Sequence, residues 1–289
     1  MFQHQRFPRG NLIDTCGAFQ YTVHMPKIIS ICNQKGGVGK TSTAVSLSSC
    51  LSLEGKKCLL IDLDPQGNAS SGVGIDKHTV VKSIYHALLE DTKLEEIIVP
   101  SCVENLYLIP SNANLAGAEV ELVSEMGREG RLKKILSHLD ASFDFVFIDC
   151  PPSFGLLTIN ALTASQSVII PIQCESYALE GVGQLVKTVN LIKDNLNENL
   201  QIEGILMTMA DFRTKLTQEV INEVKKHFGD KVYQTVIPRN IRLSEAPGFG
   251  KPIFLYDKES EGAKKYKELA LEFAKNNNIS ALISSTNGE

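Results

Sequence analysis

The stretch Lys35-Gly36-Gly37-Val38-Gly39-Lys40-Thr41 lies between an apolar run, Lys27–Cys32, and a helical pattern that runs from Thr41 to Leu53. Strand, glycine-rich turn and helix start, in that order, form a phosphate cradle. The glycines let backbone N–H groups turn inward on phosphate oxygens with no side chain in the way. The helix brings the positive end of its dipole to the same place. Lys40 is then placed to reach β- and γ-phosphates, and Thr41 to offer its hydroxyl to Mg2+. The usual pattern, G-x-x-x-x-G-K-[ST], needs glycine where this chain has Gln34. What remains is a deviant Walker A loop with an extra lysine, Lys35, at its start. A chance glycine turn before a lysine-initiated helix is the bland alternative. The strand before the loop and two acidic motifs argue against it.

Alternation of short apolar runs with helical patterns continues to the end of the chain. Strands are expected at Lys27–Cys32, Lys57–Ile61, Leu106–Ile109, Phe145–Ile148, Ser167–Ile170, Ile202–Met207 and Val232–Ile237. Several lack period-2 alternation, as strands buried on both faces of a parallel sheet do. Helical patterns occupy Thr41–Leu53, Val80–Leu89, Arg128–Leu139, Leu156–Ala164, Gly181–Leu196, Thr217–Phe228 and Gly262–Lys275. The expected class is α/β: a doubly wound, mostly parallel sheet flanked by helices, of the P-loop NTPase type. Residues 25–276 are expected to be a single domain. Residues 1–24 are polar and aperiodic, and are read as a disordered extension; residues 277–289 are read as a flexible tail.

Two further strands end in carboxylates. Phe143-Asp144-Phe145-Val146-Phe147-Ile148-Asp149 precedes Cys150-Pro151-Pro152, a Walker B arrangement in which Asp149 orients Mg2+. Leu59-Leu60-Ile61-Asp62-Leu63-Asp64 supplies two more. Carboxyl ends of strands line the ligand crevice of an open α/β sheet. Asp62, Asp64 and Asp149 are therefore expected to converge on the loop. Turn and capping chemistry explains any one of them, but poorly all three.

Composition sets outer limits. No stretch approaches the roughly 18 uninterrupted apolar residues that span a bilayer, and the N-terminus lacks the apolar core of a signal peptide. A cytoplasmic protein is expected. Seven cysteines include no C-x-x-C pair, so buried reduced thiols are expected rather than a zinc site. The net charge of −4 argues against a polyanion binder overall. Residues 211–258 nevertheless hold nine Lys/Arg against six Asp/Glu, a local basic excess.

Taken together, KGGVGKT, LIDLDPQGN, FDFVFIDCPPS, the run Pro171–Glu175 and the run Val236–Pro247 resemble ParA/Soj chromosome-partitioning ATPases. The resemblance covers Met25 to about Lys275. It implies a homodimer that sandwiches two ATP molecules, with Lys35 crossing to the partner's phosphates. It matches Asp64 to the aspartate that positions the attacking water, and Pro238 and Asn240 to residues beside the base. Ser42 stands where many relatives carry threonine, and keeps the hydroxyl. The resemblance also implies slow Mg2+-dependent hydrolysis, stimulation by a ParB-type partner, and binding of nucleoid DNA without sequence preference. Arg213 and Arg242 are the matching arginines, and both lie in the basic region.

Three alternatives use the same loop. A MinD-like membrane ATPase of cell division needs a basic amphipathic C-terminal helix, whereas residues 276–289 are polar and end in Glu289. An iron–sulfur carrier needs paired cysteines; Cys150 and Cys174 follow strands, but their spacing does not demand a cluster. A slow nucleotide-dependent regulator uses identical residues and stays open.

Overall fold

The computed structural model describes residues 25–175 and 178–279. Their elements are β1 Lys27–Ile31, α1 Lys40–Leu53, β2 Cys58–Asp62, α2 Asn68–Gly72, α3 Ile84–Leu89, β3 Val99–Pro100, β4 Leu106–Ile109, α4 Leu115–Glu121 and α5 Arg131–Leu136. There follow β5 Phe145–Asp149, α6 Leu156–Ala164, β6 Ser167–Gln173, α7 Ala178–Asn195, β7 Gln201–Ala210, α8 Lys215–Phe228, β8 Val232–Pro238, α9 Ile241–Glu245, α10 Ile253–Tyr256 and α11 Glu261–Asn276. The expectations for the extension 1–24 and for most of the tail fall outside these residues.

The strands make one sheet in the order β3-β4-β2-β5-β1-β6-β7-β8. Neighbours run parallel except β3 against β4. Every residue of β2 and β5 is buried. That explains their unbroken apolar sequences, because each face of these strands packs against its own half of the core. Leu59, Ile61, Val146 and Ile148 face one cluster; Leu60, Phe147, Leu269 and Phe273 belong to the other. The α/β doubly wound class is therefore observed as expected.

α1 is buried along almost its whole length, between the sheet and α11. A helix with no solvent face needs no amphipathic stripe. Its serines are accommodated locally: Ser48 Oγ donates to Ala44 O at 2.7 Å. The chain leaves β1 toward β2 on one side and returns to β6 on the other. Such a switch point opens a crevice at the carboxyl ends of the strands, where the Lys35–Thr41 loop begins.

Boundaries differ most from expectation in two helices. The helix expected from Val80 starts at Ile84, because Ser83 and His86 form a reciprocal capping box there. The helix expected over Arg128–Leu139 is a 3-10 turn, Arg128–Gly130, followed by α5. The short elements β3, α2, α4, α9 and α10 carry too few periodic residues to stand out in the sequence.

Candidate functional site

Backbone geometry shapes the loop. Gly37 has φ +72° and Gly39, the N-cap of α1, has φ +87°; a side chain at either is strained. Two neighbours fix the loop to the sheet. Thr208 Oγ1, near the end of β7, lies 2.9 Å from Val38 O and 3.0 Å from Ile172 O. The Asn33 side chain accepts from Lys35 N at 3.0 Å and donates to Pro171 O at 2.7 Å. Lys40 is buried, and its Nζ donates to Lys35 O at 3.1 Å. The ammonium of Lys40 thus sits under the mouth of the loop, held by a neutral carbonyl.

The strand ends behave as the sequence suggests, with one distinction. Asp62 and Asp149 stand opposite each other in the β2–β5 register. Asp62 is fully satisfied: Ser70 N and Ser70 Oγ each donate to it at 2.7 Å, and Asp64 N at 3.3 Å. Burial raises its carboxyl to about 6, against the pull of the Ser70 bonds. Asp149 is fully buried, and neither carboxylate oxygen has a hydrogen-bond partner. Burial first, and the charge of Asp62 second, push it well above the usual carboxylate range. The Thr41 hydroxyl lies near enough to favour its charged form, as does Lys40, although Thr41 is not in hydrogen-bonding geometry. Asp64 is also largely buried, and its Oδ1 accepts from Gln66 N at 2.9 Å.

An orphaned buried carboxylate costs free energy unless a cation meets it. Mg2+ fits this place: it takes one or two carboxylates, adds phosphate oxygens and keeps several waters. Among the described residues no group of three or more His, Cys, Asp or Glu is arranged for a metal. That suits an ion completed by water and phosphate rather than caged by protein. Asp149 and Thr41 are the direct candidates. Asp62 already spends its oxygens on Ser70 and Asp64 N, so its reach to an ion is through water.

A cavity of about 620 Å³ opens beside the loop. Gly39, Thr41 and Ser42 form one wall; Pro238 and Asn240 form another. The structure thereby gathers both parts of the expected nucleotide set. A larger cavity, about 920 Å³, lies near α3 and α5. It contains none of the loop or strand-end residues, so its size does not make it the site. Sequence reading missed Asn33, Thr208 and Met209. Met209 lines the smaller cavity with φ +52°, a strained conformation of the kind found at functional sites. Lys77, Arg239 and Lys251 line it as well; of these only Arg239 falls in a quoted motif, the run Val236–Pro247.

Three expected site residues lie on the surface in ion pairs. Lys35 Nζ meets Glu175 of its own chain. Arg213 makes a two-pronged contact with Asp211, at 2.8 and 2.6 Å. Arg242 pairs with Glu245 at 3.0 Å and Asp257 at 3.3 Å. Both arginines follow the ends of the adjacent strands β7 and β8. Each is matched locally by acid, so the basic excess of that region is carried by its other lysines and arginines. Cys32, Cys50, Cys58, Cys150 and Cys174 are free and buried, as expected; Cys102 is free but exposed. Cys16 lies outside the described residues.

A family model described as an AAA domain matches residues 26–202. The sporulation initiation inhibitor protein Soj of Bacillus subtilis is 59% identical over 252 residues, covering 87% of this chain and 100% of the relative. The chain belongs to the ParA/Soj family of chromosome-partitioning ATPases. The chromosome partitioning protein ParA of Myxococcus xanthus is 50% identical to this ParA/Soj chain, over 86% of it and 88% of the relative. Among solved structures, cobyrinic acid a,c-diamide synthase of Mycobacterium smegmatis with bound ADP and magnesium is similar. Its TM-score is 0.74 at 38% identity, covering 85% of this chain and 93% of that one. No described helix is long and apolar enough to cross a membrane.

Proposed function

We propose that this ParA/Soj chain binds Mg2+-ATP in the loop, pairs as a homodimer around two nucleotides, and binds DNA without sequence preference. Slow hydrolysis, stimulated by a ParB-type partner, then drives segregation of a chromosome or plasmid on the cytoplasmic nucleoid. One observation carries the reading. Asp149, buried and unpartnered, stands by Thr41 and Lys40 at the loop, and the N-cap and first turn of α1 also wall a cavity reaching Pro238 and Asn240.

The residues divide the work by position. Backbone N–H groups of Gly36 to Thr41 surround the phosphates, and Lys40 exchanges the Lys35 carbonyl for phosphate oxygens. Ser42 adds a hydroxyl on the cavity wall, while Pro238 and Asn240 hold the base. Bound Mg2+ supplies neutralisation of the charge that develops on the β- and γ-oxygens. Thr41 and Asp149 would orient it, with Asp62 acting through water. Asp64 positions the attacking water. Lys35 reaches the triphosphate of the second copy, and Arg213 and Arg242 face DNA phosphate from both protomers.

A gel-shift series in the apo, ADP and ATP states, across rising salt, tests the whole reading. Binding is expected only with ATP, and is expected to fall steeply as salt rises. Binding indifferent to nucleotide would separate the DNA surface from the site and break the proposal.

A further inference from the structure

Both lysines of the loop are occupied within the single chain. Lys40 Nζ donates to Lys35 O, and Lys35 Nζ is paired with Glu175 Oε2. Glu175 stands two residues beyond the carboxyl end of β6. The same strand holds the start of the loop a second time, because Asn33 bonds both Lys35 N and Pro171 O. Main chain and side chain of Lys35 are therefore both tied to β6 of their own protomer. The Lys35 and Glu175 side chains remain 55% and 46% exposed, so the ion pair faces water and can open. The Asn33 contacts, one buried and one part-buried, hold the main chain in place.

We propose that Glu175 is a positioning residue that holds Lys35 in cis, and that ATP-driven pairing requires Lys35 to exchange Glu175 for the second copy's triphosphate. The inference rests on the nucleotide-sandwich reading above. The Glu175 carboxylate takes one of the three donors on Lys35 Nζ and part of its charge, so it competes with a triphosphate across an interface. A triphosphate offers more negative oxygens than one carboxylate, so it wins the exchange; a diphosphate competes less well. The pair thus raises the threshold for dimerisation without blocking it. An exposed ion pair shifts an equilibrium by no more than roughly fivefold. Two such pairs open per dimer, so their effects multiply.

The test uses the full chain and two readouts. In the nucleotide-free protein, brief treatment with an amine-acylating reagent reports how free Lys35 is, read by peptide mass spectrometry. Lys187, exposed and on α7, is the internal reference. Glu175→Gln is expected to raise Lys35 labelling about two- to fivefold, with Lys187 unchanged. The same variant is expected to dimerise with ATP at a protein concentration roughly five- to twentyfold lower than the parent, by light scattering. Unchanged Lys35 labelling overturns the cis pair. Freer Lys35 with weaker dimerisation overturns the exchange and makes Glu175 an interface contact. A parent protein that stays monomeric with ATP at every concentration sinks the sandwich reading itself, which the labelling result distinguishes from a missing pair.

Discussion

Two carboxylates at opposite ends of the strands, Asp149 fully and Glu203 mostly buried, have opposite fates. At the amino ends of the strands, Glu203 on β7 accepts from Lys27 Nζ at 2.6 Å, Ser167 Oγ at 2.6 Å and Asn277 Nδ2 at 2.7 Å. Burial alone raises its carboxyl, but these partners outweigh burial and hold it below the ordinary value. At the carboxyl ends, Asp149 on β5 has no partner at all and is pushed up. The first carboxylate ties β1, β6, β7 and the end of α11 together. The second destabilises the empty fold unless it takes up a proton or meets a cation. A fully satisfied buried charge is architecture; an unsatisfied one facing a phosphate loop is reserved for a ligand.

The sharpest way to break that contrast is kinetic. Asp149→Asn is expected to lower Mg2+-dependent ATP hydrolysis by about a hundredfold or more, since a metal-orienting charge is worth several kcal/mol of barrier. Glu203→Gln is expected to leave hydrolysis within about twofold, because it lies at the far end of the strands. Comparable losses in both would erase the distinction. In the Arg213→Glu and Arg242→Glu double variant, DNA affinity at low salt is expected to fall by about tenfold or more, with ATP-dependent dimerisation retained. An unchanged shift would move the DNA surface elsewhere.

Folding stability separates the carboxylates in sign. Glu203→Gln is expected to cost about 2 kcal/mol by urea denaturation, through charged hydrogen bonds lost and Lys27 left without its main partner. Asp149→Asn is expected to stabilise the nucleotide-free, magnesium-free protein by about 1–2 kcal/mol, since an amide is cheaper to bury than an unpaired charge. Destabilisation by Asp149→Asn would mean that the wild-type carboxylate already has a partner.

This contrast was half legible in the sequence. Asp149 stood out because an apolar strand, a terminal acid and Pro151-Pro152 read together as one motif. The loop stood out for the same reason: local spacing carries the chemistry. Glu203 did not, because a lone acid in Gln201–Ala210 looks like any exposed strand position. Its partners lie 36, 74 and 176 residues away. Thr208 and Asn33 were hidden likewise, since their roles depend on β1, β6 and β7 meeting at one edge. The pair between Lys35 and Glu175 spans 140 residues. By contrast, Asp211 lies only two residues from Arg213, and that neutralising contact was open to a local reading of the charges. Strand existence followed from burial on both faces, whereas α4 and α9 are short and mark themselves weakly.

The smallest expected effect is the pH slope, and it tests the contrast without touching activity. Around pH 4 the folded chain holds fewer protons on Glu203 than the unfolded chain does, because the folded carboxyl lies below its ordinary 4.5. Stability from this group therefore rises with pH there, is complete above about pH 5, and is lost as pH falls through the folded value. The stability gap between wild type and Glu203→Gln should stay flat from pH 7 to 5 and close as acid is added. Asp149 carries the opposite sign: its raised carboxyl keeps a proton in the folded chain that the unfolded chain has already released. The nucleotide-free wild type should then lose stability relative to Asp149→Asn as pH climbs above the ordinary 3.8. Urea midpoints across that range, without magnesium, should give one gap that closes toward acid because a bond is lost and another that closes because a burden is lifted. A gap between wild type and Asp149→Asn that stays flat across the whole range would show that Asp149 is not held in an unsatisfied state.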